Sequence, residues 1–146
     1  MEIHCNSEQE TKIFANKISK NIKQGSVIAL NGDLGSGKTT FSQGFAKGLG
    51  VAQHVGSPTF KLVSEYYGST MKLYHVDCYR LNSSAEFLNL GGENLLLPYD
   101  GITLIEWANI IEELIPLDSI KIKFSRFKAS TTKRLLTITG IDGLNE

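Results

Sequence analysis

One glycine-rich string constrains the fold more than any other feature of this sequence. Eight consecutive residues read G-x-x-x-x-G-K-T, namely Gly32-Asp33-Leu34-Gly35-Ser36-Gly37-Lys38-Thr39. Residues 27–30 before the string form a short apolar run, which is typical of a buried parallel strand. After it, apolar side chains recur at helical spacing, at Phe41, Phe45, Ala46 and Leu49. This strand-loop-helix context favours a phosphate-binding loop over the alternative of a glycine-rich turn with an incidental lysine.

Each residue type in this loop has a chemical role in holding phosphate. Gly35 and Gly37 can adopt positive φ, which lets backbone N–H groups converge on phosphate oxygens. The helix that follows adds its N-terminal N–H groups and the positive end of its dipole. Lys38 supplies a positive charge to the β- and γ-phosphates, and the Thr39 hydroxyl is a natural Mg²⁺ ligand. The string therefore predicts a site for a nucleoside triphosphate and Mg²⁺.

The composition excludes several classes of protein. A chain of 146 residues is long enough for one hydrophobic core and too short for two. Its 15 basic and 15 acidic side chains balance, so no global field gathers nucleic acid or an anionic membrane. The two cysteines, Cys5 and Cys78, have no metal-ligand spacing and indicate reduced thiols. Because no signal-peptide pattern and no transmembrane-length apolar run occurs, we expect one cytoplasmic domain over residues 1–146.

Periodicity along the rest of the chain predicts alternating helices and strands. Ser7 and Glu10 form a capping-box pattern that opens an amphipathic helix ending near Gly25. A strand that runs to about Tyr67 and a returning strand over residues 71–77 form a hairpin. Further patterns predict a capping box at Ser83, a turn of helix at 93–97, a strand at 102–105, a helix ending at Pro116, and strands at 120–124 and 135–139. The result is an α/β domain whose mixed sheet has a parallel core and antiparallel hairpins at its sides, flanked by helices.

Two carboxylates are placed to complete a magnesium site beside the loop. Asp77 and Glu106 each end an apolar, strand-like run, and ligands bind at the carboxyl ends of the strands in open α/β sheets. A phosphate loop needs such an acid to hold Mg²⁺ or its waters. The alternatives are a surface carboxylate at a strand end for Asp77 and a helix N-terminal acid for Glu106. We expect at least one of the two in the site.

Three further residues have contexts that leave their roles open. Thr59 follows a Ser-Pro pair in a loop that could close over the γ-phosphate, and the alternative is a simple turn residue. His75 faces the same side of its strand as Asp77, and a structural role is the default for a lone strand histidine. Arg80 could stabilise a transferred phosphate or pair with a carboxylate.

The activity that best suits these features is slow hydrolysis of a nucleoside triphosphate, coupled to a conformational change and a partner. A small-molecule kinase usually needs arginines on a lid to clamp both phosphate groups, whereas this chain has three scattered arginines and no lid-sized insertion. No Asn-Lys-x-Asp string indicates guanine recognition, so we expect adenine. A small-molecule phosphotransferase stays the alternative because the loop alone permits it, and a nucleotide-binding regulator that never hydrolyses is a third.

Four motifs in a fixed order also give the chain a family resemblance. They are G-D-L-G-S-G-K-T-T at residues 32–40, S-P-T-F at 57–60, H-V-D-C-Y-R at 75–80 and I-E-W at 105–107. The combination resembles the TsaE (YjeE) family, small bacterial P-loop ATPases needed to make threonylcarbamoyladenosine in tRNA. The resemblance implies a P-loop NTPase-like mixed sheet of about seven strands.

The resemblance implies a role for each matching residue. The phosphates of ATP would be held by Gly35, Ser36, Gly37, Lys38, Thr39 and Thr40. Thr39 and Glu106 would ligate Mg²⁺, while Asp77 would orient or activate the attacking water. Lys38 and Thr59 join Asp77 as the residues expected to act in catalysis, with Thr59 on a switch-like segment.

The resemblance also places residues near the nucleoside and names partners. Trp107 would pack beside the nucleotide, and Glu8 and Arg134 would approach the adenine end because in the family both chain ends fold over the base. In that family TsaD, paired with TsaB, transfers the threonylcarbamoyl group, and hydrolysis by the ATPase resets the complex between turnovers. We therefore expect TsaD and TsaB as partners, contact with tRNA only through the complex, and no membrane partner.

Overall fold

The residues that the structure describes form a seven-stranded mixed sheet with helices on both faces. The structure is a computed structural model, and it describes residues 1–58 and 61–141. In chain order the strands are β1 (Glu2–Cys5), β2 (Val27–Asn31), β3 (Val63–Tyr67), β4 (Lys72–Asp77), β5 (Gly101–Glu106), β6 (Ile120–Phe127) and β7 (Ser130–Thr139). The helices are α1 (Glu8–Ser19), α2 (Lys38–Gly48) and α3 (Ser84–Asn89), with 3-10 helices at Gly92–Leu96 and Ala108–Leu114.

The centre of the sheet is parallel and both of its sides are antiparallel. The strand order is β1-β7-β6-β2-β5-β4-β3. β2 pairs in parallel with β5 and β6, and β4 pairs in parallel with β5. β3 and β4 form one antiparallel hairpin, β6 and β7 form another, and β1 pairs antiparallel with β7. The predicted parallel core with flanking hairpins is confirmed, as is the count of about seven strands.

The two central strands are apolar because both of their faces are covered. Side chains alternate between the faces of a strand, and those of β2 enter two separate clusters. Ile28 and Leu30 pack with α1 and α2, whereas Val27 and Ala29 pack with residues of α3 and of the 3-10 helix Ala108–Leu114. Burial on both faces removes the polar-apolar alternation of a half-exposed strand, and it fixes the position of the strand ends that form the site.

The capping box that opens α1 is present, but this helix ends six residues earlier than the sequence predicts. The amide N of Glu10 donates to Ser7 Oγ at 3.1 Å, and the amide N of Asn6 donates to Glu10 Oε2 at 2.6 Å. The helix stops at Ser19 rather than near Gly25. Ile22 continues the apolar spacing because it is still buried, although it lies in the turn that returns the chain to the sheet. The sequence prediction therefore places the end of the helix too late, because the apolar spacing continues to Ile22 beyond the helix itself.

Three other elements differ from the sequence prediction. No strand was predicted before residue 27, but β1 pairs with β7 at the sheet edge, where a half-exposed strand carries little apolar periodicity. β7 begins at Ser130 rather than near residue 135, because Ser130 and Arg134 pair with the last two residues of β6, across a register shift. The segment after β5 is a kinked 3-10 helix rather than a regular helix, with Ile111 outside helical geometry.

Across residues 1–58 and 61–141, no helix is both long and apolar enough to span a bilayer.

The close packing of α1 on α2 gives a prediction about stability. A methyl group on Gly44 of α2 would lie 2.4 Å from the carbonyl oxygen and 2.6 Å from the Cα of Lys12 in α1. We expect Gly44→Ala to lower the free energy of unfolding by about 1–3 kcal/mol through this backbone overlap, although alanine is the better helix former. Urea unfolding measures the change.

Gly56→Ala is the matched control for this prediction. The nearest atom to a methyl group on Gly56 is His54 Nε2, at 3.9 Å, so this variant should unfold at the same urea concentration as the unaltered protein. Equal midpoints for the two variants would contradict the packing argument.

Candidate functional site

Most of the predicted site residues meet in one cavity at the carboxyl edge of the parallel strands. The cavity has a volume of about 290 Å³, and the loop with the start of α2, residues 34–40, forms one wall. The other predicted residues that line it are Glu8, Asp77, Glu106, Trp107 and Arg134. Thr59 lies outside the described residues. The fold therefore brings together residues that are up to about 130 positions apart in the sequence.

Backbone N–H donors of the loop and of the start of α2 belong to residues that line this cavity. Gly35 has φ 75° and Gly37 has φ 107°, so both occupy the left-handed region that glycine adopts without strain. Gly37 is the N-cap of α2 and has no side chain with which to cap the helix. The first N–H groups of a helix have no partner within the helix. At Lys38, Thr39 and Thr40 these groups belong to residues that line the cavity, which suits an anion.

Lys38 lies folded against its own loop. Its Nζ donates to the carbonyl oxygens of Gly32 and Asp33, the latter at 3.0 Å. The ammonium also lies 4.1 Å from the ring centroid of Trp107. Burial lowers the pKa of Lys38, and the carboxylates of Glu106 and Asp77 offset part of that shift. An anion bound in the cavity would stabilise the charged ammonium further.

Trp107 forms another wall of the cavity in an unusual backbone conformation. Its φ of 57° and ψ of 39° place a bulky residue in the left-handed region, between the end of β5 and the 3-10 helix that follows. Such a conformation costs about 1–3 kcal/mol and persists where surrounding contacts hold it. The indole packs against Tyr79, with ring centroids 5.0 Å apart, and under the Lys38 ammonium. The turn directs the indole into the cavity, where it lines the wall with Tyr79.

The two predicted carboxylates lie side by side but have different partners. Asp77 and Glu106 are paired in register on the adjacent parallel strands β4 and β5, and both are buried. Thr39 Oγ1 donates to Glu106 Oε1 at 3.0 Å. Asp77 accepts from Ser57 Oγ at 3.2 Å and from the amide N of Tyr79 at 2.9 Å. Glu106 is therefore joined to the phosphate loop, and Asp77 is joined to the segment that precedes Thr59.

The oxygen atoms around Thr39 are of the chemical type that Mg²⁺ prefers as ligands. A hydroxyl and a carboxylate within hydrogen-bond distance offer the hard oxygen ligands that Mg²⁺ prefers. Among the described residues no group of three or more His, Cys, Asp and Glu gathers as a metal cage. Mg²⁺ is commonly held by one or two protein oxygens together with phosphates and water, so this small donor set fits the ion.

Several cavity residues were not singled out from the sequence. They are Leu34, Ser57, Tyr79 and Thr132. Ser57 and Tyr79 belong to the quoted motifs, so the motifs could have indicated them. His75 is a further residue whose contact with the site was not predicted. Its side chain is fully buried, and its Nε2 is hydrogen-bonded to Glu106 Oε2. Nothing in the spacing of the sequence indicates that β4 and β5 place these two side chains together.

Two arginines from the β6–β7 hairpin donate hydrogen bonds to backbone carbonyl oxygens of the loop. Arg134 donates from Nε to the carbonyl oxygen of Ser36 at 2.9 Å and from Nη2 to that of Gly35 at 3.0 Å. Arg126 donates from Nη1 to the carbonyl oxygen of Leu34 at 3.3 Å. The two arginines thus hold the carbonyl groups of three consecutive loop residues. The expected approach of Arg134 to adenine stays a prediction.

The bonds from Arg134 give a prediction about the mobility of the loop. The amide N of Ser36 donates to the carbonyl oxygen of Asp33 at 3.0 Å. We expect Arg134→Ala to speed hydrogen exchange of this amide about tenfold, since a loss of about 1.4 kcal/mol is a factor of ten. Two charge-assisted bonds at a partly exposed site can supply a loss of that size. Exchange followed by mass spectrometry measures it. Arg126→Ala removes only one longer bond and should change the rates less, so equal acceleration in both variants would contradict this role.

Comparisons with known proteins agree with the geometry. The family model described as "Threonylcarbamoyl adenosine biosynthesis protein TsaE" matches residues 5–135. The chain is 41% identical over 133 residues to the tRNA threonylcarbamoyladenosine biosynthesis protein TsaE of Bacillus subtilis (strain 168), covering 91% of this chain and 81% of that protein. The protein of the same name from Borreliella burgdorferi is 35% identical over 141 residues, covering 96% and 100%.

A solved structure shows the same fold. The crystal structure of YdiB from Bacillus subtilis matches with a TM-score of 0.75 and 33% sequence identity, over 94% of this chain and 83% of that one. The family model and the curated relatives each span most of the sequence that forms the sheet and the cavity. The resemblance read from the four motifs is thereby confirmed, and this chain belongs to the TsaE family.

Proposed function

We propose that this protein is a Mg²⁺-dependent ATPase that acts with a TsaB–TsaD complex in the threonylcarbamoyladenosine modification of tRNA. A role in tRNA threonylcarbamoyladenosine biosynthesis follows from the family. The observation that carries the finer proposal is the bond between Thr39 and Glu106 at the start of α2, where the first N–H groups have no partner within the helix. It joins a carboxylate to a phosphate-loop hydroxyl, as a Mg²⁺–nucleotide site requires.

The phosphates of ATP fit the wall formed by residues 34–40. The N–H groups at the start of α2 would surround the β- and γ-phosphates, with Lys38 turning from the Gly32 and Asp33 carbonyls toward them. Thr39 and Glu106 would hold Mg²⁺, and the ion would supply positive charge beside the phosphates. Gly35, Ser36, Gly37 and Thr40 complete the phosphate contacts.

The two ends of the described chain support a nucleoside position beside Glu8 and Arg134. β1 and β7 pair so that Cys5 lies opposite Arg134, directly before α1 begins at Glu8. Thr132 Oγ1 also donates to the carbonyl oxygen of Asn6 at 3.1 Å, which ties β7 to the start of α1. We propose that the adenine end of ATP lies here and that Trp107 packs against the nucleotide from the opposite wall.

Asp77 is the residue that we propose for orienting the attacking water. Its two carboxylate oxygens accept from Ser57 Oγ and from the amide N of Tyr79. These bonds fix the carboxylate in the cavity wall, where it can accept a proton from water or hold the water in line with the γ-phosphate. Thr59 follows Ser57 by two residues, so a partner that moves this segment would act on the Asp77 carboxylate directly.

Steady-state hydrolysis of MgATP, alone and with a TsaB–TsaD pair from the same source, is the experiment that tests the proposal. We expect slow turnover by the isolated protein and a severalfold rise with the pair. If the pair left the rate of hydrolysis unchanged under conditions where ATP is bound, activation by the partner complex would be contradicted. The search would then turn to a phosphoryl acceptor, as the small-molecule kinase alternative requires.

Asp77→Asn gives a sharper prediction about the chemical step. Loss of a group that activates or orients water lowers turnover by roughly 10²- to 10⁴-fold, while we expect the dissociation constant for MgATP to stay within about threefold because the loop and Mg²⁺ ligands remain. Steady-state hydrolysis assays measure turnover, and equilibrium binding measures the dissociation constant for MgATP.

Asp118→Asn is the matched control. Asp118 is exposed in the turn before β6, at the sheet edge opposite the cavity, and its variant should retain both turnover and affinity. If Asp77→Asn weakened binding and turnover by the same factor, Asp77 would be a binding residue rather than a catalytic one.

A further inference from the structure

We propose that His75 is a positioning residue that orients the Glu106 carboxylate for Mg²⁺, an inference that rests on the proposed function. His75 lies on β4 with no exposed side-chain surface, and its Nε2 is hydrogen-bonded to Glu106 Oε2. Glu106 in turn accepts from Thr39 Oγ1. The three side chains form one connected line from the interior of the sheet to the phosphate loop.

The register of β4 and β5 creates this line. Asp77 is paired with Glu106 and His75 with Leu104, so His75 lies two residues further back from the cavity. Side chains two residues apart on a strand share a face. His75 therefore supports the Glu106 carboxylate from the interior side, whereas Thr39 approaches it from the cavity side.

The two oxygens of Glu106 have different surroundings as a result. Oε1 is the nearer to Thr39 Oγ1, at 3.0 Å against 3.4 Å for Oε2, and Oε2 is the one that His75 contacts. The terminal torsion of a glutamate is broad and has no steep preference of its own. The bond from His75 selects one orientation, in which Oε1 is presented to the Thr39 hydroxyl and to a metal between them.

The chemistry of the pair fixes which imidazole nitrogen carries hydrogen. An ionised carboxylate only accepts hydrogen bonds, so Nε2 must donate to it. The other ring nitrogen, Nδ1, is buried and has no hydrogen-bond partner among the described residues. The bond to Glu106 therefore places a hydrogen on Nε2.

A purely structural role is the competing explanation, and the two roles predict different measurements. If His75 only satisfies a buried carboxylate, its loss affects stability and not the metal in particular. If it positions Glu106, its loss weakens metal binding selectively. Partners that orient metal ligands typically contribute 10- to 100-fold in metal affinity.

The test compares two amide variants with Mn²⁺ as the metal probe. The glutamine amide nitrogen of His75→Gln can occupy the place of Nε2 and donate to Glu106, whereas the shorter amide of His75→Asn cannot reach it. Mn²⁺ binding is followed by electron paramagnetic resonance in the presence of saturating adenosine 5′-(β,γ-imido)triphosphate, and binding of the same nucleotide is measured in EDTA. Glu106→Gln serves as the benchmark for loss of the ligand itself.

We expect His75→Asn to weaken Mn²⁺ binding by about 10- to 100-fold and to leave nucleotide binding in EDTA within about twofold. His75→Gln should stay within about threefold of the unaltered protein. Unchanged Mn²⁺ affinity in His75→Asn, or an equal loss of metal-free nucleotide affinity, would overturn the inference. If the unaltered protein bound the nucleotide with no dependence on metal, the proposed function itself would fail, and this inference with it.

A measurement on the unaltered protein covers the case in which His75→Asn does not fold. Nitrogen-15 spectra of the imidazole rings report the tautomer, with the exposed His4 and His54 as internal references. We expect hydrogen on Nε2 of His75 and a change in its resonance when Mg²⁺ is added to the nucleotide-bound protein. Hydrogen on Nδ1 alone, or a resonance that Mg²⁺ leaves unchanged, would contradict the positioning role.

Discussion

The parallel pairing of β5 between β2 and β4 is the constraint on which the rest of this structure depends. Leu30 of β2 and Asp77 of β4 are both paired with Glu106 of β5, so the carboxyl ends of three strands lie level. A slip of one residue would turn every side chain of a strand to the other face. Register therefore decides whether Glu106 meets Thr39 and whether Asp77 stands beside it.

The apolar clusters on the two faces of the sheet hold that register. β2 contributes to both of them, and its alternating side chains would lose their partners on either face if the strand slipped. Burying charged groups is costly unless they are paired and hydrogen-bonded. Lys38, Asp77 and Glu106 are nevertheless all buried at the carboxyl edge. Lys38 donates to the loop backbone, Glu106 accepts from Thr39, and Asp77 accepts from the amide N of Tyr79. The same core that stabilises the fold thus positions the groups that the proposed reaction needs.

The loop is set up from two directions. From the sheet side, Glu106 reaches the Thr39 hydroxyl, and His75 supports Glu106 from behind. From β7, Arg134 donates to the carbonyl oxygens of Ser36 and Gly35 in the loop. Binding energy is better used when the site is already in its bound geometry, because less ordering is then required on binding. This arrangement connects the architecture of the sheet edge with the proposed coordination of Mg²⁺ and phosphate.

The local features of this protein can be predicted from residue spacing: the loop between strand and helix, the capping boxes at Ser7 and Ser83, the buried central strands, and Asp77 and Glu106 at strand ends. These follow from spacing over a few residues, since caps, turns and helical or strand periodicity are short-range interactions. Together with the four motifs they were sufficient for the family and the α/β class.

The contacts between distant segments become visible only in the folded chain. The edge strand β1, the bond between His75 and Glu106, and the placement of Arg134 against the loop join residues 31 to more than 130 positions apart. The left-handed backbone conformation of Trp107 likewise depends on tertiary contacts. Nothing in residue spacing specifies which strands become neighbours or in what register, because that choice depends on how the whole chain buries its apolar surface.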